Sequence, residues 1–229
     1  VTDTIELVRD TTTITTIKQA ERISGTLSKP GKMPGHAYNI PAECCHVGSK
    51  LRKVAGSVCS GCYAMKGRYL FRNVRDAMYY RKDRMENHPR WVDAMVFLIR
   101  ARHKTVPYFR WFDSGDLQSV AMLRRIIEVC NRTPEIQHWL PTREKGIIVR
   151  FVREDGYIPT NLNIRVSAPL VDSTVGIFKI QDCTVSTVST DDKVHPEAHH
   201  CPSRFQDGKC VECRACWSRN VAWVDYHKH

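Results

Sequence analysis

Eight of the chain's ten cysteines fall in two groups, and sulfur in such groups does a short list of things. Cys44, Cys45, Cys59 and Cys62 lie within "ECCHVGSKLRKVAGSVCSGCY", and Cys201, Cys210, Cys213 and Cys216 within "HHCPSRFQDGKCVECRACW". A Cys-x2-Cys pair puts two sulfurs on one turn, close enough to grip one metal ion or one edge of an iron–sulfur cluster. Disulfides need an oxidising compartment and compatible Cβ directions, which three thiols at two-residue gaps on one turn do not offer each other. The opening residues carry no basic segment followed by an apolar core, so metal is expected before disulfides.

The two groups differ in pattern. In the second, Cys210, Cys213 and Cys216 repeat at two-residue gaps, with a remote Cys201–Pro202. Zinc knots usually come as two separate Cys-x2-Cys knuckles, whereas this run with a remote Cys-Pro has the spacing of bacterial ferredoxin ligands, with the remote thiol upstream. A four-cysteine [4Fe-4S] cluster is therefore expected here, with zinc as the alternative metal. His195, His199 and His200 are set aside as exposed loop histidines, and Trp217 is expected to cover one face of the group. In the first group Cys59 and Cys62 are joined by Cys44 or Cys45. Cys45 is preferred, because Cys44 follows a strand directly and is expected to point into the core. Three thiols on a four-iron cluster leave one iron with an open position, and chemistry needs an open position. Cys130 and Cys183, standing alone, read as small buried hydrophobes.

The elements around these thiols alternate between strand and helix patterns. "AYNIPA" reads as a short strand leading into the first cysteine loop. A helix from Val74 to Lys104 follows, broken near Pro89, which cannot continue the hydrogen-bond ladder. "VPYFRWFDSGD" reads as a buried strand, and Val120, Leu123, Ile126, Ile127 and Cys130 recur at helical spacing. "IQHWLPT" is the next strand and "GIIVRFVRED" a helix with strand as its alternative; "NIRVSAPL" and "CTVSTVST" are further strands. The pattern gives an α/β fold, a partial or open (β/α) barrel of about five units, since a complete eight-fold barrel typically needs about 250 residues. The expected organisation is an irregular N-terminal segment over 1–35, the barrel over 36–194, and a cysteine-rich extension over 195–229 packed on it.

In such folds ligands gather at the carboxyl ends of strands. Ser114, Gly115 and Asp116 end the second strand, Thr142, Arg143 and Glu144 the third, and Ser167 lies on the fourth. Each alone reads as a turn, a cap or a solvated pair; their recurrence above a cysteine-bearing loop points to a shared pocket. The net charge of +11 favours a polyanion such as nucleic acid or a nucleotide. It is dispersed, however, and its densest stretch, "RYLFRNVRDAMYYRKDR", reads most simply as a solvated helix face. No apolar run reaches the roughly 18 residues of a membrane span.

Taken together, "KMPGHAYNIPAECC", "GSVCSGCYAMKGRY", "FRWFDSGDLQ", "WLPTRE", "NIRVSA" and "CVECRACWSRNVAWVDYHKH" resemble the phage gene product 88 family of cysteine-rich proteins, from about Lys32 onward. That resemblance implies a bacteriophage or prophage origin and a place in the bacterial cytoplasm. A more distant likeness is to the radical S-adenosylmethionine (SAM) fold, a partial (β/α) barrel. It implies that Cys45, Cys59 and Cys62 hold an open [4Fe-4S] cluster that binds SAM. It also implies that Ser114, Gly115 and Asp116 receive the SAM amino group, and that Arg143 and Ser167 contact its carboxylate and ribose. A second, auxiliary cluster would lie on Cys201, Cys210, Cys213 and Cys216. The chain departs from that pattern in the longer gap before Cys59 and in Tyr63, an aromatic after the last cysteine instead of before it.

Overall fold

The computed structural model describes residues 13–174, 180, 182–190 and 195–228. Its centre is a seven-stranded sheet in which every pairing is parallel. The strands are β1 (Ala37–Tyr38), β2 (Tyr108–Trp111), β3 (Gln137–Thr142), β4 (Leu162–Ser167), β5 (Thr184–Ser189), β6 (His199–His200) and β7 (Trp223–His227). Their spatial order is β1-β2-β3-β4-β5-β7-β6. The α-helices among the described residues are α1 (Ile17–Ser24), α2 (His46–Leu51), α3 (Arg72–Asn87), α4 (Trp91–Arg102), α5 (Val120–Asn131) and α6 (Lys145–Glu154), joined by short turns of 3-10 helix.

Strand alternation explains how the sheet is covered. Phe109, Trp111, Leu140, Leu162 and Ile164 join the main core with Met95 and Ile99 of α4, Leu123 and Ile126 of α5, and Ile148 and Phe151 of α6. The alternate residues Tyr108, Arg110, Trp139, Asn163 and Arg165 belong to the opposite face. There, Trp139 packs with Cys216 and Trp217, not with the helices. In β4, "LNIRVS", apolar and polar residues alternate, yet both sets are buried except for the partly covered Ser167. The second face is thus an interior in its own right.

All five apolar positions foreseen on α5 are buried, and Ser119 caps the helix by accepting from the Met122 amide at 3.0 Å. The ambiguous "GIIVRFVRED" is helical as α6. The break at Pro89 separates α3 from α4.

Three expectations change. The first strand pairs over Ala37–Tyr38 only, because Pro41 leads into a turn of 3-10 helix at Ala42–Cys44. The N-terminal segment, expected to be irregular, contains α1, held by a reciprocal Thr16–Gln19 capping box and packed through Ala20 against Ala94 and Leu98 of α4. The tail is more than a covering: β7 inserts between β5 and β6 as an inner strand. Residues 1–12 of the N-terminal segment, and 191–194 at the expected boundary before the tail, lie outside the described residues. Cys130 is fully buried and Cys183 half-buried against the same core, as expected of isolated thiols.

Candidate metal and ligand site

A cavity of about 500 Å³ opens at the carboxyl ends of the strands. Cys45, Cys59 and Cys62 line it from the loop after β1. Ser114, Gly115, Asp116, Arg143 and Ser167 line it from the ends of β2, β3 and β4. Thr142 lines it too, whereas Glu144, grouped with these strand ends from sequence, does not.

Cys45 ends the 3-10 turn and precedes α2, which turns its side chain towards the Cys59–Cys62 loop. Gly48 makes this approach possible: a Cβ there would lie 3.7 Å from the sulfurs of both Cys45 and Cys59 and 3.0 Å from the Cys45 Cβ. Burial pushes the Cys45 thiol well up, and the neighbouring Asp116, Cys62 and Cys59 push it the same way. Burial also raises Cys59, against the opposing charges of Arg143 and Arg52. These thiols are protonated as they stand, so a metal binding them would displace protons. Cys44 goes elsewhere. It is half-buried beside Tyr79 and Lys82 of α3 and not in the core, so the expected reason for excluding it changes while its separation from Cys59 and Cys62 stands.

The strand ends are tied to one another. Asp116 is buried, its Oδ1 accepting from the Thr142 hydroxyl at 2.6 Å and the Leu117 amide at 2.8 Å, its Oδ2 from the Arg143 amide at 2.9 Å. Burial raises its pKa to about 6 despite these bonds. Both oxygens are thus engaged in holding β2 to β3. Glu144 reaches the cysteine loop, accepting from the Val47 amide at 2.8 Å. Gly115 sits at φ +81°, with Ile40 only 2.3 Å from where a Cβ would stand, so glycine is required there. Ser167 accepts a bond from Ser186 at 3.1 Å.

The second cysteine group lies below, on the polar face of the sheet. Cys216 is buried, its sulfur 3.1 Å from the Tyr226 hydroxyl, and burial pushes its thiol up to about 12. Cys210 feels the charges of Cys201 and Cys213, and Cys216 those of Cys201 and Cys210, so the four thiols are close neighbours. Cys213 Sγ also lies 3.4 Å from His199 Nε2, a neighbour that sequence reasoning had set aside. Trp217 donates to the Phe109 carbonyl at 2.9 Å and packs edge-on to Trp139. Among the described residues, no three His, Cys, Asp or Glu side chains converge closely enough for a single ion.

Two cations, Arg165 buried and Arg110 half-buried, join these regions, and both were missed because each sits inside a strand pattern. Arg165, fully buried, donates to the carbonyls of Val185, Ala215 and Val221 at 2.7 to 3.1 Å. Arg110 lies over Trp139, its guanidinium carbon 4.5 Å from the ring centroid. Burial opposes its charge, but Tyr63, Asp113, Tyr226 and Cys216 together raise its pKa. Tyr63 stands at the cavity wall and donates to the Asp113 carbonyl. The signal available in sequence was alternation: Arg110 and Arg165 occupy the off-phase positions of "YFRW" and "LNIRVS".

Fold and site together define a parallel α/β protein with a thiol-lined cavity at its strand ends and a second thiol group on the inner face of the sheet. The sequence matches the family described as gene product 88 over residues 7–228, and the chain belongs to this family of phage gene products. No curated protein and no solved structure matches it. No described helix is long and apolar enough to cross a membrane.

Proposed function

We propose that the chain is an iron–sulfur protein, with its sheet forming the wall of a radical-SAM-like partial barrel. Cys45, Cys59 and Cys62 would hold an open [4Fe-4S] cluster, and Cys201, Cys210, Cys213 and Cys216 a fully ligated one. The observation that carries the reading is the meeting of Cys45, Cys59 and Cys62 with the strand-end residues Ser114, Gly115, Asp116, Arg143 and Ser167 in one cavity. The donor set fits such a group. Three thiols line a common space, Cys44 is turned away, and the Cys45 and Cys59 sulfurs both lie beside Gly48. The sequential order of β1 to β5, with helices on one face, agrees with a barrel segment.

A cluster with an open iron would bring one-electron chemistry to the cavity. The chain's own part is to shape the space. Asp116 and Glu144 fix the strand ends and the cysteine loop, Gly115 gives close approach to the backbone, and Arg143 and Arg52 offset negative charge beside Cys59. The second group, walled by Trp217 and Tyr226, suits electron transfer or a structural role, and the positive charge of the chain suits an anionic substrate.

Anaerobic purification followed by iron, sulfide and zinc analysis tests the reading. Brown protein with iron and acid-labile sulfide is expected. Colourless protein with stoichiometric zinc would overturn it in favour of a zinc-stabilised nucleic-acid-binding protein. Under a low-potential reductant, cleavage of SAM to 5′-deoxyadenosine is expected, and intact SAM with the first cluster present would remove the SAM part alone.

A further inference from the structure

The polar groups around the cavity are unequally satisfied. Its carboxylates are occupied: Asp113 accepts from Ser28, Asn39 and Tyr69, and Asp116 from Leu117, Thr142 and Arg143. Its donors are not. The buried Nε atoms of Arg52, Arg110 and Arg143, the Trp139 indole nitrogen and the Ser114 hydroxyl have no hydrogen-bond partner. All of these except the hydroxyl can only donate.

Unpartnered buried polar atoms also occur elsewhere, at Arg84, His103 and His138 for example. These five, however, border one space, three of them on cations, and buried polar atoms are usually paired, which points to something that fills it. Arg110 is the clearest case. One terminal nitrogen reaches only the Met33 thioether, a weak acceptor, and the other makes a long 3.4 Å contact with the Phe112 carbonyl. Its position over the Trp139 ring places the guanidinium without satisfying its hydrogen bonds. Ser114 is only 3% exposed, and its hydroxyl is unpartnered. The occupant must therefore present acceptors and negative charge. A carboxylate has two oxygens and one charge, whereas a terminal phosphate has three free oxygens and up to two charges, the better match to three guanidiniums.

We infer that the cavity binds a phosphate-bearing ligand, its phosphate oxygens paired with Arg110 and Arg143 and met by the Ser114 hydroxyl. This rests on the reading of the cavity as the functional centre and names the group its substrate carries. The phosphate belongs either to a free nucleotide or to the 5′ end of a nucleic acid strand, which present the same chemistry.

Titration calorimetry on the anaerobically purified full chain tests this, using adenosine 5′-monophosphate, adenosine, and one oligonucleotide with and without a 5′-phosphate. The phosphorylated member of at least one pair is expected to bind ten- to a hundredfold more tightly than its partner. The responding pair identifies the source. Arg143→Gln and Arg110→Met are each expected to lose about tenfold or more of that affinity, the range of a charge-assisted bond. Unfolding curves matched to the parent identify the variant to be relied on. Equal affinity with and without phosphate, or unchanged affinity in a folded Arg143→Gln, would overturn the inference. Iron is measured on the same sample. Iron without phosphate affinity defeats this inference alone, and phosphate affinity without iron defeats the cluster reading alone.

Discussion

The two cysteine groups of this chain are built on opposite plans. The first sits on a loop between a two-residue strand and a long helical crossover, facing open space. That loop is fixed by the Val47 amide to Glu144, the Val58 amide to the Pro169 carbonyl at 3.0 Å, the Val171 amide to the Gly56 carbonyl at 2.9 Å and the Tyr63 hydroxyl to the Asp113 carbonyl. The second lies between β6 and β7, and the sheet grips it from beneath. Asn163 donates to the carbonyls of Cys216 and Ser218, and Arg165 to those of Ala215 and Val221. The contrast lies in the support. One group rides on a loop bonded at the strand ends beside the cavity and the other on a loop bonded to strand side chains beneath it, though in each only one thiol, Cys59 or Cys216, is buried.

Removing the grip should have the largest effect. Arg165→Met leaves several buried carbonyls without a donor and is expected to cost roughly 3–5 kcal/mol, the range for breaking a buried charged arrangement. Denaturant unfolding should register it, together with preferential loss of metal from the C-terminal group. Unchanged stability would mean that the two plans do not differ.

Next comes pH. The pKa of Asp116 is raised in the folded chain to about 6, so the folded state holds a proton that the unfolded state has released. Its contribution is fully present below about pH 4 and is lost as pH rises through about 6. The change amounts to roughly 3 kcal/mol by linkage. Unfolding free energies of the parent and Asp116→Asn, compared at pH 4 and pH 7, should differ by an amount that changes across this window. A constant difference would show that Asp116 titrates normally.

Tyr226→Phe removes one hydroxyl from the Cys216 sulfur and should cost about 1 kcal/mol while metal is retained. Smallest in stability, and sharpest in the comparison, is Gly48→Ala. Alanine favours the helix, and its methyl meets Cys45 tightly, so net stability should move by no more than about 1 kcal/mol. The added carbon nevertheless stands between two sulfurs of the first group. Metal content should fall there and remain in the second group, as read by elemental analysis and visible absorption. Equal loss from both would erase the distinction.

Much of this arrangement was legible in the chain itself. Helical spacing from Val120 to Cys130, turn signals at Ser114–Asp116 and Pro89, and the clustering of thiols after the first strand all carried through, because each is a local property. Thr16 and Gln19 also carried a local signal, a capping box, hidden within a Thr-rich run. What escaped was long-range. Nothing near Arg165 says that its partners lie some fifty residues away in the tail, and nothing in "VAWVDYHKH" distinguishes an inner strand from a covering one. The interior polar face likewise needed the fold: Asn163, Arg165 and Thr184 look solvent-facing by alternation, until the tail is seen to close over them.

The strand order has a consequence for how the protein is made. β7 separates β5 from β6, although both are synthesised before it. While the ribosome is still producing the tail, β6 has no neighbour to pair with, and the loop from Cys201 to Cys216 hangs as an unclosed tether. Asn163 and Arg165 of β4 can hold the Cys216 end without β7, but Cys201, whose amide bonds to the Asp225 carbonyl, reaches the sheet only once β7 is in place, so the second thiol group closes last.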